Sequence, residues 1–354
     1  MLSPQNGPMS VAAVILAAGG STRFGAPKAA VRIGSRSMLQ VVVDTATAAG
    51  LSPLIVVAPS SLPVPEVAVS VRNDAAHLGM SRSLQLGIAA VPADAEAAVV
   101  MLADQPTVSV EHLRSLDGWR GGTPVVATSS AGVLGPPALI EREGFALVID
   151  TDGDTGLRDL LRADPMLVTA VEHAAMPDVD TAEDLERITE PCPGCGARYL
   201  PQVADEMHPY IGASPACWST FGELLAREFG DVAFGRIHRH SVDVYAVQHP
   251  GTDDRRQRQS VALHLIGLCH WLEHGIELDR LTAITQRLAN DDRSWPWLTP
   301  PMGYPMTVVD VLAARDGSEH VGLVTRWAET TWDAWAAHHE TVRAWADEVL
   351  RDRG

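Results

Sequence analysis

Val11-Ala-Ala-Val-Ile-Leu16 runs directly into Ala17-Ala-Gly-Gly-Ser-Thr-Arg-Phe-Gly-Ala-Pro-Lys28. The first stretch is an apolar run of strand length, and the second is a loop of small residues that holds one arginine and one lysine. A phosphate-binding loop needs those ingredients. Small residues let backbone N–H groups approach phosphate oxygens, the N-terminus of a following helix favours negative charge, and Arg23 and Lys28 neutralise it further. Glycines at 19, 20 and 25 fit neither the Walker loop nor the dinucleotide-binding fingerprint. The bland alternative is a tight strand-to-helix turn.

Outward from this stretch, further apolar runs at Leu54 to Ala58 and Ala98 to Leu102 are separated by segments of helix length. Strands alternating with helices predict a doubly wound α/β fold with a mostly parallel sheet. The loop would then lie at the carboxyl end of the sheet, where open α/β folds bind ligands. Asp104, which follows the run ending at Leu102, would face the same crevice.

The composition changes after residue 191, beyond which lie all four cysteines, ten of the thirteen histidines and eight of the nine tryptophans. An amphipathic stretch from Ala182 to Ile188 meets Pro191 and Pro193, which would end a helix. We therefore expect a first domain over 10–190 and a second over 191–354. The second reads as mainly α-helical, with helices at Ser219 to Phe229, Gln257 to His274, Asp279 to Leu288 and Val324 to Leu350. In the last of these Trp332, Trp335, His339, Val342 and Trp345 nearly follow a helical stripe, which reads as core. No internal repeat is visible.

With 27 basic and 44 acidic residues the chain carries a net charge of −17, which opposes a sequence-independent grip on nucleic-acid phosphates. The longest apolar stretch, Val11 to Ala18, is far below the roughly 20 residues of a membrane helix, and no basic segment precedes it. We expect a cytoplasmic protein with neither nucleic-acid nor membrane partners. Four cysteines in 354 residues do not make a disulfide framework, and Cys192 and Cys195 form a C-x-x-C that suggests metal or redox chemistry.

Leu16 to Lys28 resembles the L-A-A-G-x-S-x-R-x-G-x-x-K signature of the MobA-like nucleotidyltransferases, in particular the molybdenum cofactor cytidylyltransferases. Further resemblances follow in order: Asn73 with Gly79-Met-Ser-Arg-Ser-Leu84, Ala103-Asp-Gln-Pro106, Gly153-Asp-Thr-Gly156, and Asp178-Val-Asp-Thr-Ala-Glu-Asp-Leu185. Together they cover residues 11 to 188. The resemblance implies a Rossmann-like fold of the nucleotide-diphospho-sugar transferase type and Mg2+-dependent transfer of CMP from CTP to molybdopterin or its molybdenum form, with release of pyrophosphate. It implies a nucleotide site formed by Leu16, Ala17, Ala18, Gly19, Gly20, Arg23, Lys28, Asn73, Ser83 and Asp104.

Arg23 and Lys28 would hold the triphosphate, and Lys28 would stabilise charge on the α-phosphate. Asp104 and Asp180 would hold Mg2+, with Asp178 the neighbouring alternative because a two-residue offset on an extended segment keeps both on one face. The partners implied are CTP, a small-molecule acceptor such as molybdopterin, and a molybdoenzyme that receives the product. The loop start Leu16-Ala17-Ala18-Gly19 resembles the cytidylyl type, whereas guanylyltransferases of the group carry L-A-G-G. The chain departs from the family at Ala29, where Leu is usual, and at Gly132-Val-Leu-Gly-Pro-Pro137, where the family has G-x-x-G-H-P. Two rival readings make the first domain a nucleotide or pterin carrier for the second, or place catalysis in the second domain.

Residues 191 to 354 resemble an uncharacterised bacterial family with C-P-G-C-G, then H-x-Y-x-G-A-S-P-x-C-W, then V-D-x-Y-A-x-Q-H-P-G, here Cys192 to Gly196, His208 to Trp218 and Val242 to Gly251. Cys192 and Cys195 open a knuckle-like turn, and tetrahedral Zn2+ needs two more sulfur or imidazole ligands. Cys217 and His208 are the nearest candidates, with His238 or His240 as alternatives. A redox pair and plain buried thiols remain the competing readings. His249, His264, His270 and His274 read as core histidines.

Overall fold

The computed structural model describes residues 11–19, 27–75, 79–149, 157–201, 208–289 and 293–351. The chain divides into two units, Met1–Ile188 and Thr189–Gly354.

Among the described residues of the first unit, seven strands build one sheet: β1 (Val11–Leu16), β2 (Leu54–Ala58), β3 (Val69–Arg72), β4 (Ala97–Leu102), β5 (Val125–Ser130), β6 (Val133–Glu141) and β7 (Val168–Glu172). Their order is β3-β2-β1-β4-β6-β5-β7. β1 runs parallel to β2 and β4, β2 to β3, and β5 to β7, whereas β6 is antiparallel to β4 and β5. The mostly parallel, doubly wound sheet expected from the sequence is therefore the fold.

Helices α1 (Met38–Ala49), α2 (Met80–Ala89), α3 (Val110–Gly118), α4 (Leu157–Ala163) and α5 (Ala182–Ile188) accompany it. The near-continuous apolar run of β1 is explained by burial on both faces. Ala13 and Ile15 pack in one layer with Leu39 and Val43 of α1 and Leu113 and Leu116 of α3. Ala12 and Val14 pack in the other with Leu84 and Ile88 of α2 and Leu161 of α4. A Cβ on Gly87 would lie 2.3 Å from Val14 Cγ1, so α2 rests on β1 at a separation that a glycine allows.

From β1 the chain moves outward to β2 and β3, then crosses back to β4 on the other side of β1. The crevice beyond the carboxyl ends of β1 and β4 is the topological switch point, where such sheets bind ligands. Backbone bonds fix its floor: Ala17 N–H donates to Val57 O at 2.8 Å and Ala103 N–H to Leu16 O at 3.1 Å.

The second unit begins with a small antiparallel hairpin, β8 (Glu190–Pro191) with β9 (Arg198–Tyr199). Among the described residues six longer helices follow: α6 (Pro215–Gly230), α7 (His238–Gln248), α8 (Arg255–Leu272), α9 (Leu278–Ala289), α10 (Gly317–Ala334) and α11 (His339–Arg351). Trp327, Trp335 and Tyr245 are among its largest fully buried side chains.

The single helix expected over Val324 to Leu350 is two helices, α10 and α11. Trp335 closes α10 with its N–H bonded to Trp332 O at 2.9 Å, a 3₁₀ turn covers Ala336–His338, and His339 opens α11. His339 Nε2 also bonds Trp332 O at 2.9 Å, and its ring stacks on the Trp332 indole at 4.0 Å. A side chain thus bonds a carbonyl at the end of α10. Helix α7 has no counterpart among the expected helices. It buries polar residues, including His240, Ser241, Asp243 and Gln248, so its sequence lacks an apolar stripe. Among the described residues no helix is long and apolar enough to cross a membrane.

Candidate active site and candidate metal centre

β1 ends at Leu16, and Ala17, Ala18 and Gly19 continue it into the crevice. Gly20 and Arg23 lie outside the described residues, as does the Gly153-Asp-Thr-Gly156 motif. The chain is described again from Pro27, and Lys28 opens a 3₁₀ turn whose second residue, Ala29, is buried. Lys28 Nζ lies 3.4 Å from Asp104 Oδ2 and hydrogen-bonds Asp180 Oδ1. The lysine, the aspartate after β4 and the aspartate before α5 therefore share one place.

Two contacts bring the distant 178–180 segment there. Val179 N–H donates to Asp104 O at 2.9 Å, and Gln105 Nε2 donates to Asp178 Oδ1 at 2.9 Å. Asp184 holds the far side through its carboxylate, which accepts from Asp180 N–H at 3.0 Å and Thr181 N–H at 2.8 Å. The aspartate–threonine pattern before α5 is thus also helix-capping chemistry, which leaves the Asp180 side chain available to the crevice.

Among the described residues, Lys28 faces the carboxylates of Asp104 and Asp180, with Asp178 close to Asp104. Burial alone would lower the Lys28 ammonium, but hydrogen bonding to Asp180 and attraction to Asp104 hold it above the ordinary lysine value. Burial, and then repulsion from Asp178, push the Asp104 carboxyl up even though Lys28 opposes both. Hard oxygens from Asp104 and Asp180 converge on one cationic group, and that donor set suits a divalent ion that keeps water and phosphate oxygens as its other ligands.

Asn73 and Ser83 are buried and meet each other, with Asn73 Nδ2 donating to Ser83 Oγ at 2.8 Å. They join the end of β3 to α2. A cleft lined by Gln105, Thr128, Ser130, Leu134, Pro136 and Met176 lies on the β5–β6 side of the sheet, beside the end of β4 that Gln105 follows. Gln105 Oε1 is buried there and has no hydrogen-bond partner among the described residues. Gln105 was visible in the sequence only as the middle of Asp104-Gln-Pro106.

In the second unit the structure gathers Cys192, Cys195, Cys217 and His249, whose ligand atoms all lie within 4.8 Å of one another and all of which are buried. Cys195 Sγ is 3.7 Å from Cys217 Sγ, and Cys217 Sγ is 3.3 Å from His249 Nε2. Cys192 and Cys195 sit on the turn between β8 and β9, where Cys192 N–H donates to Ala197 O at 2.7 Å and Gly196 adopts φ +81°. Cys217 is in the first turn of α6, capped by Ser214, and His249 follows the last residue of α7. A Cβ on Gly194 would stand 2.5 Å from His249 Cδ2, so the turn lies directly against the imidazole.

His208, expected as the fourth ligand, lies outside this cluster. Its ring packs on Trp218 at 4.5 Å and its Nδ1 accepts from Tyr210 N–H at 3.2 Å. The alternatives are engaged elsewhere: His238 Nδ1 bonds Glu228 at 2.8 Å, and the His240 ring stacks on Trp271 at 3.6 Å. The four histidines read as core also part company, since His264 pairs with Asp243 at 2.6 Å and His270 with His274 at 3.2 Å, while His249 joins the thiols. Three thiols and an imidazole at these distances can hold a metal ion.

Comparison with known proteins follows the same division. Residues 13–173 match the family described as MobA-like NTP transferase domain, and residues 190–336 match a family of unknown function, DUF5946. The purine catabolism protein PucB of Bacillus subtilis (strain 168) is 28% identical over 194 residues, covering 49% of this chain and 94% of PucB. Among solved structures, Rv0371c from Mycobacterium tuberculosis H37Rv is 28% identical with a TM-score of 0.46, covering 51% of this chain and 96% of that one. The Rv0371c homologue from Mycobacterium sp. strain JC1 is 30% identical with a TM-score of 0.46, covering 50% of this chain and 93% of that one. The N-terminal part of this chain belongs to the MobA-like NTP transferases and is a nucleotidyltransferase, and a domain of the family of unknown function follows it.

Proposed function

We propose that the protein transfers CMP from CTP to a small phosphorylated acceptor, with molybdopterin or its molybdenum form as the acceptor. The observation that carries this reading is the convergence of Lys28, Asp104 and Asp180 beyond the carboxyl ends of β1 and β4. An acceptor phosphate oxygen attacks the α-phosphorus of the triphosphate, the bond from that phosphorus to the bridging oxygen breaks, and pyrophosphate leaves. Such a reaction asks the protein for positioning and charge neutralisation rather than for a covalent intermediate.

Asp104 and Asp180 would hold Mg2+, which neutralises phosphate charge when bound. Lys28 places its ammonium against the α-phosphate, with Arg23 assisting at the triphosphate. Gln105 and the Val179–Asp104 backbone bond keep the two carboxylates aligned. The choice of CTP rests on the resemblance of Leu16-Ala17-Ala18-Gly19 to the cytidylyl type. The cleft beside Gln105 offers the acceptor an approach, and Pro136 stands in its wall where the family pattern has histidine. In the same reading the cysteine-rich cluster of the second unit takes Zn2+.

The test is pyrophosphate release from CTP, GTP and ATP with Mg2+, each with and without molybdopterin, for the wild type and Asp104→Ala. Release that requires molybdopterin, prefers CTP and is lost in the variant is expected. No release with molybdopterin under any nucleotide would remove it as the acceptor. Tight nucleotide binding without turnover would put the carrier reading first.

A further inference from the structure

We infer that Cys192, Cys195, Cys217 and His249 form a closed zinc centre that holds the second unit together and takes no part in turnover. The inference rests on the reading that this cluster takes Zn2+, and goes beyond it to the role of the ion. A tetrahedral site with metal–sulfur bonds near 2.3 Å has sulfur–sulfur edges of about 3.8 Å. The Cys195–Cys217 separation of 3.7 Å matches that edge. It is far from the roughly 2.05 Å of a disulfide.

The surroundings are those of a ligand set. His249 Nδ1 faces Tyr245 O at 2.8 Å, so it carries the proton and leaves Nε2, the atom directed at Cys217, free to ligate. Ser214 N–H donates to Cys192 Sγ at 3.4 Å and Tyr245 O–H to Cys217 Sγ at 3.6 Å. Such donors stabilise thiolates, whose three charges a single Zn2+ leaves short of neutrality. The set of one imidazole and three thiolates suits a borderline-soft, four-coordinate ion.

Two features separate a structural role from a catalytic one. All four positions are filled by protein and all four residues are buried, whereas a catalytic zinc keeps an open position for water or substrate. The ligands also come from three separate pieces of the unit: the β8–β9 turn, the start of α6 and the end of α7. One ion would therefore fasten the hairpin to two helices, and its binding free energy would be folding free energy.

The experiment uses the full chain. After exhaustive dialysis against metal-free buffer, elemental analysis should find about one zinc per chain, released only when a mercurial blocks the thiols. Cobalt substitution should give tetrahedral d–d bands with thiolate charge-transfer absorption. His249→Cys should retain the metal with a changed cobalt spectrum, and Cys217→Ala should lose it. Eight of nine tryptophans lie after residue 191, so near-UV circular dichroism reports chiefly on the second unit. Stripping the metal should abolish that signal while nucleotide binding by the first unit survives. Absent or sub-stoichiometric zinc, or iron or a disulfide in its place, would overturn the zinc reading itself. Stoichiometric zinc whose removal leaves the tryptophan signal and its melting transition unchanged would overturn the structural role and leave zinc binding standing.

Discussion

Val179 donates its backbone N–H to the carbonyl oxygen of Asp104 at 2.9 Å, and through this bond the last turn of chain before α5 is set beside the end of β4. Because the bond is between backbones, it fixes where Asp178 and Asp180 stand whatever their side chains do. The two aspartates then divide: Asp180 reaches Lys28 and Asp178 is held by Gln105.

That division predicts unequal losses. Asp180→Asn should lower Mg2+-dependent pyrophosphate release by about 100-fold or more, the range seen when a preorganised transition-state contact is removed. Asp178→Asn keeps an acceptor for Gln105 and should cost less than about tenfold. Steady-state rates across a Mg2+ titration decide it, with the apparent Mg2+ requirement rising in Asp180→Asn. The opposite ranking would transfer the metal-binding role to Asp178.

The contact between α2 and β1 predicts a stability effect. Gly87→Ala places a methyl group 2.3 Å from Val14 Cγ1 and should destabilise the first unit by about 1–3 kcal/mol through overpacking. Adding Val14→Ala should restore part of that loss instead of summing with it. Urea midpoints of the two single variants and the pair provide the measurement.

His112 predicts a pH dependence. Burial, and then the neighbouring His173, depress it from 6.5 to about 4, and its Nε2 is bonded to Thr128 Oγ1 at 2.8 Å. Its folded pKa lies below its unfolded one, so its contribution to stability is complete above pH 6.5, falls as the pH drops, and is lost by about pH 4. The melting-temperature gap between wild type and His112→Gln should therefore shrink steadily from pH 7 to pH 4. A constant gap would show that His112 does not change its proton affinity on folding.

Glu228 in α6 is buried and receives hydrogen bonds from His238 at 2.8 Å, His320 at 2.9 Å and Ser241 at 2.5 Å. Burial alone would raise its carboxyl, but these donors hold it below the ordinary glutamate value. Glu228→Leu strands all of them and should cost the second unit about 3–5 kcal/mol. Denaturant titration followed by near-UV circular dichroism should show the loss, with Glu228→Gln intermediate.

The first unit was largely legible because its signals are local. β1 announces itself by an apolar run, Lys28 closes the loop that follows it, and Asp104 comes directly after the next such run but one. Parallel sheets place the ends of successive strands on one edge, so sequence order already groups these residues. The Val179–Asp104 bond was not legible, since nothing in either segment marks the other as its partner.

The second unit shows where such reading stops. Cys192-Pro-Gly-Cys195 carries a spacing rule, but the fourth member of its cluster is set by the end of α7, and no sequence interval from a cysteine predicts that. His208, nearer along the chain, lies against Trp218 instead. The helix that delivers His249 was itself hidden, because buried polar side chains such as Asp243 and Gln248 erase the periodicity by which a helix is recognised.

The order of the two units along the chain also matters during synthesis. Every strand of the β1–β7 sheet, and the Asp104 partner Val179, has been made before the first cysteine at 192. The first unit can thus finish folding on the ribosome as a unit. The second cannot complete its cluster until residue 249 has left the exit tunnel, and until then two thiols on the β8–β9 turn and a third on α6 wait without their imidazole partner. That interval is when a nascent chain is most open to the wrong metal or to oxidation, and slowing or speeding translation between 217 and 249 would change its length without changing one residue of the protein.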